Sequence, residues 1–144
     1  MELSRRFQET ITRRKRRDYA DSPNVAIRLN NLAELFHATS QLAEVESLYR
    51  RALAIDEKNF GPDDPDVAID LNNLARLLSH MNRLVEAEPL SQRHLRIFAE
   101  LGRRTGHEHP LFRKATNNYV ELMRAMGLSE DEIQARLRSA IEGS

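Results

Sequence analysis

The sequence predicts an all-α fold, a right-handed α-solenoid of antiparallel helix pairs with about seven helices. Three observations carry this. Leu, Ala, Glu and Arg dominate the 144 residues, with five Gly, five Pro and no Trp, which is helix-forming vocabulary. Residues 24–65 overlie residues 66–110 in register for most of their length, displaced by 42. Within each unit the apolar residues recur at the spacing of an amphipathic helix rather than of a strand.

The chain opens with residues 3–23 (LSRRFQETITRRKRRDYADSP), which align without a gap on residues 90–110 (LSQRHLRIFAELGRRTGHEHP) and share Leu-Ser, Arg-Arg and Pro. This segment reads as the second helix of an incomplete unit, with Leu3, Phe7 and Ile11 turned inward. Such an opening also fits a piece of a longer array. In the first full unit, 24–65, Val25, Leu29, Asn30, Asn31, Leu32, Ala33 and Leu35 form the first helix. Leu42, Glu44, Glu46, Leu48, Arg51, Leu53 and Ile55 form the second, and all recur 42 residues later. In the second unit, 66–110, Val67, Leu71, Leu74, Ala75 and Leu78 make the stripe of one helix, with Asp66 as the expected N-cap. Leu84, Ala87, Leu90, His94, Leu95 and Phe98 make the next stripe, and Pro89 falls early enough to be tolerated. The third unit, 111–144, starts at Leu111, repeats the Asn pair at Asn117 and Asn118, and continues its apolar pattern through Val120, Leu122 and Met126. Ser129-Glu130-Asp131-Glu132 then reads as a capping box opening the last helix. Ile133, Leu137, Ala140 and Ile141 share its inner face. Gln134, Arg138 and Glu142 make a polar outer face, as a terminal repeat requires. Residues 1–144 are therefore expected to be one domain.

Leu-Asn-Asn-Leu-Ala, followed by Glu-x-Glu-x-Leu-x-x-Arg and closing on Gly61-Pro62-Asp63-Asp64-Pro65, resembles the tetratricopeptide repeat in its 42-residue form, as in kinesin light chain. The resemblance implies that the first helix of each pair lines a concave groove and the second forms the back. It also implies close helix approach at small residues, here Ala33, Ala75 and Val120. A second small position is kept as Ala52 but becomes His94 one repeat later, which disturbs the expected packing there.

Positions beside the core stripe of each first helix are the candidates for a peptide-binding face. They are Asn30, Asn31, Glu34 and His37; Asn72, Asn73, Arg76, Ser79 and His80; and Lys114, Asn117, Asn118, Glu121 and Arg124. An amide both donates and accepts, so three Asn pairs form a ladder able to meet the main chain of an extended peptide whatever its side chains are. Family members with this pair use it so. The alternative is that one Asn of each pair bonds within the stack. Arg76, Lys114 and Arg124 favour acidic side chains, whereas Glu34 and Glu121 balance them towards no preference.

Other classes find little support. Lys plus Arg equals Asp plus Glu at 22 each, so the field that nucleic-acid and membrane-surface binders rely on is missing. The basic run Arg13-Arg14-Lys15-Arg16-Arg17 suits the C-terminal end of the first helix better than a nucleic-acid patch. With no Cys there are no disulfides, thiolate metal sites or Cys nucleophiles. His107-Glu108-His109 has too few ligands for a closed metal shell. No phosphate loop, nucleophile elbow or His-Glu-x-x-His helix occurs, so neither an enzyme nor a cofactor is expected. No run approaches the roughly 18 apolar residues of a membrane span, and the first residues lack the apolar core of a secretory leader. The expectation is a cytoplasmic module that binds a protein or peptide, as a monomer or weak homo-oligomer. Self-assembly through the incomplete first repeat is the alternative.

Overall fold

A computed structural model describes residues 22–38 and 41–143, apart from the side chains of residues 35–38. The predicted first helix, with Leu3, Phe7, Ile11 and the basic run, lies outside the described residues, as does the side chain of His37. Among the described residues there are six helices and no strand: α1 (Pro23–Ala38), α2 (Leu42–Phe60), α3 (Pro65–His80), α4 (Leu84–Thr105), α5 (Phe112–Ala125) and α6 (Glu130–Glu142). The all-α reading and the helix pairs hold. Two compact units divide between Asn59 and Phe60.

In the first unit, α1 and α2 meet through Ala26, Leu29, Ala52 and Ile55, with Val25 and Leu48 packed alongside. Ala33 is fully buried. The Tyr49 hydroxyl donates to Glu34 Oε1 at 2.6 Å, fastening the second helix to the first.

The second unit is built around α4, against which α3, α5 and α6 all pack. The α3 stripe reads as expected, with Val67, Leu71, Leu74, Ala75 and Leu78 all buried. Its start does not, because the N-cap is Asp64 rather than Asp66. Asp64 Oδ1 accepts the Asp66 amide at 2.9 Å, and Pro65 occupies the first turn. Proline lacks the N–H that this position leaves unbonded, and its fixed φ is already helical.

The turns that fold each pair back are alike. After α3, the Arg83 amide donates to Leu78 O at 2.8 Å around Asn82, at φ 58°. After α5, the Leu128 amide donates to Met123 O at 3.2 Å around Gly127, at φ 82°. These are the same left-handed closure, 45 residues apart, and Asn and Gly are the residues that accept it at least cost.

The spacing predicts this helix over residues 83–101, but α4 runs four residues further, to Thr105, and is closed by Gly106 in the left-handed region. Pro89 lies inside it and removes the bond that Val85 O would receive. Val85 is 79% exposed, so water is at hand. His94, expected to disturb the packing, is instead a satisfied core residue. It is 5% exposed, with Nδ1 2.7 Å from Ala68 O and its ring edge-on to Phe98.

In α5 the buried positions are Ala115, Tyr119, Leu122 and Met123, while Val120 is only half-buried. The capping box of α6 forms in full. Ser129 Oγ accepts the Glu132 amide at 3.2 Å, and Glu132 Oε1 accepts the Ser129 amide at 3.3 Å. Glu88 of α4 accepts from the Tyr119 hydroxyl of α5 at 3.2 Å and pairs with Arg136 of α6, tying three helices together.

Candidate binding groove

Because α3 and α5 both lay their apolar stripes on α4, the edges of those stripes face each other across a groove of about 500 Å³. From α3 come Asn72, Ala75, Arg76, Ser79 and His80; from α5 come Lys114, Asn118, Glu121, Leu122 and Ala125. Leu84 and Ser91 of α4, two turns apart on one edge of that helix, complete the lining.

Across it, Asn118 Nδ2 donates to Asn72 Oδ1 at 3.4 Å, a long bond between two half-buried amides. Each amide keeps further donor or acceptor capacity. The Ser79 hydroxyl donates to Ala75 O at 2.9 Å and so presents its oxygen as an acceptor. Arg76, Lys114 and Glu121 are exposed, and none of them forms an ion pair among the described residues. Two cations and one carboxylate therefore face the groove, an excess of one positive charge.

The structure brings together six of the candidate residues, Asn72, Arg76, His80, Lys114, Asn118 and Glu121, with Ser79. Asn73 and Asn117 do not line the groove. Neither does Arg124, whose Nε donates to Glu130 Oε1 at 3.3 Å over the turn into α6. In the first unit Asn30 is half-buried, Asn31 exposed, and Glu34 engaged by Tyr49. The sequence reading missed Ala75, Leu84, Ser91, Leu122 and Ala125 as lining residues. The seven-residue spacing of Leu84 and Ser91 was a usable signal, since it places both on one edge of α4.

Two groups around the groove have displaced protonation. Burial, and secondarily the charge of Lys114, lowers the His94 pKa, against an opposing pull from the Ala68 carbonyl. Burial, then the charge and hydrogen bond of Glu88, pushes the Tyr119 phenol up to about 12. Neither residue faces the groove with a reactive atom. Among the described residues no three His, Asp or Glu side chains are grouped to hold a metal ion. No described helix is long and apolar enough to cross a membrane. What the lining offers is hydrogen bonds and charge.

Residues 29–100, half of the chain, match the family model described as the tetratricopeptide repeat. The chain belongs to the tetratricopeptide-repeat family. Repeats of this family generally mediate protein–protein interaction and are typically non-catalytic. The matched span takes in the α3 wall and the α4 floor of the groove, while the α5 wall lies beyond it. No curated protein matches the chain.

Proposed function

We propose that the chain is a non-catalytic binding module that holds an extended segment of a partner protein in the groove between α3 and α5. Asn72 and Asn118 would meet the partner's main chain, and Arg76 with Lys114 would favour acidic side chains. The observation that carries this reading is the convergence of the amide pair and two exposed cations on one groove. Amides recognise an extended backbone without regard to sequence, and the cations add selectivity. The cations outnumber Glu121, so acidic segments are favoured over basic ones. The reading treats residues 1–144 as one cytoplasmic repeat domain, with further partner contacts from Asn30, Asn31, Glu34 and His37.

The test is a displayed library of random extended peptides panned against the wild-type chain and against Arg76→Glu with Lys114→Glu, with helicity checked by circular dichroism. Enrichment of acidic peptides by the wild type alone supports the proposal. A folded double variant that selects the same peptides, or a wild type that selects none, refutes it.

A further inference from the structure

His94 stands where the preceding repeat has Ala52, 42 residues earlier. Ala52 is fully buried with nothing to titrate, whereas His94 brings an ionisable ring into the junction of α3, α4 and α5. We infer that His94 is a proton-operated wedge, whose protonation in mildly acidic solution loosens α3 from α4 and widens the groove, whatever the groove holds.

The geometry sets the direction. A carbonyl only accepts, so the contact with Ala68 O places a hydrogen on Nδ1 of the neutral ring and leaves the Nε2 lone pair to take the next proton. The resulting cation is poorly compensated. From α3 the ring meets the Ala68 carbonyl, and Asp70, two residues along, lies about 200° round that helix. Along α4 it packs against Phe98, the two rings nearly perpendicular with centroids 5.1 Å apart, which supplies no carboxylate to pair the charge. From α5 the charge acting on it is the ammonium of Lys114, of like sign. Separation of the helices admits water to the ring and relieves both burial and repulsion.

The junction is continuous with the groove. Lys114 lines it, and so does Ser91, one turn before His94 on α4. The sign follows from the lowered pKa of the folded state. The unfolded chain takes this proton near pH 6.5 and the folded chain only below that. The stabilisation from neutral, buried His94 is thus complete above about pH 6.5 and lost as the pH falls through the folded value.

The chain has no cysteine, so two can be placed freely. Arg76→Cys with Glu121→Cys, carrying spin labels, puts one label on each wall of the groove. The inter-label distance, measured at about pH 7.5 and about pH 5, is expected to lengthen by about 3 Å, the width of an admitted water. In the same labelled chain, His94→Gln retains a donor for Ala68 O without titrating, and His94→Ala restores the residue of the preceding repeat. Either variant is expected to hold one distance at both pH values. The inference is overturned if the wild-type distance does not change, or if a folded His94 variant lengthens as the wild type does.

Discussion

Replacing Asn72 or Asn118 by Ala tests whether the amide pair holds the stack or serves a ligand. The bond joining them is 3.4 Å long and both residues are half-buried. A neutral hydrogen bond contributes about 0.5–1.5 kcal/mol net, and this one belongs at the low end because it is stretched and its partner remains within reach of water. Ala is a better helix former than Asn by up to about 0.7 kcal/mol, which offsets most of the loss. Each single variant should therefore stay within about 1 kcal/mol of the wild type. With a slope near 2 kcal/mol per molar urea, the unfolding midpoint should move by less than about 0.5 M. Binding of an acidic peptide, followed by calorimetry, should weaken about 3- to 10-fold for each amide removed, since each loses a hydrogen bond to the ligand main chain. Asn73→Ala and Asn117→Ala, on the same helices but off the groove, should leave binding unchanged. Destabilisation of more than about 2 kcal/mol in Asn118→Ala would refute the reasoning, because only a dry amide that ties the helices together costs so much.

Three further outcomes follow from the same contacts. Ser129→Ala removes the acceptor for the Glu132 amide and should cost about 1 kcal/mol, seen in urea unfolding and in faster amide exchange confined to the first turn of α6. With the Tyr119 phenol held near 12, the folded chain keeps a proton that unfolded tyrosine loses near 10. Stability should therefore fall as the pH rises from about 10 towards about 12, and Tyr119→Phe should flatten that fall and remove a step near pH 12 from the phenolate absorbance titration. Glu121→Gln removes the one carboxylate of the groove, so an acidic peptide should bind about threefold more tightly at low salt, with the gain shrinking as salt is added.

The helix pairs were legible because the self-match at 42 residues aligns two independent apolar stripes, and core positions obey helical spacing whatever their neighbours. The capping box was legible for the same local reason. Where the reading slipped, tertiary contacts decided. Gly102 does not end α4, although glycine near a helix end suggests a stop. A Cβ there would sit 3.4 Å from the carbonyl of His107, so the position is kept small by the loop returning over it. Gly106 does the stopping. His94 looked like a misfit against Ala52, and only the position of the Ala68 carbonyl, on another helix, shows how its polar edge is satisfied.

The site was half legible, and the missing half has one cause. Adjacent residues on a helix point about 100° apart, so the two members of an Asn pair cannot face the same neighbour. Sequence marks both as lying beside the stripe but does not say which edge looks towards the next repeat. In the structure α3 offers its first amide, Asn72, to α5, and α5 answers with its second, Asn118, because two parallel-facing helices meet through opposite edges of equivalent stripes. The same geometry brings Arg76 and Lys114 to one groove although they lie at different heights in their repeats, and it sends Arg124 to Glu130 instead. A ladder of identical pairs, as the sequence suggests, is thus a set of unlike halves. Asn72 and Asn118 share a bond as well as a groove, so under the proposed function the structural and ligand-binding roles weighed as alternatives would fall on the same two side chains. A ligand that takes up Asn118 competes with Asn72 for it, and the weakness of the 3.4 Å bond is what leaves that exchange open.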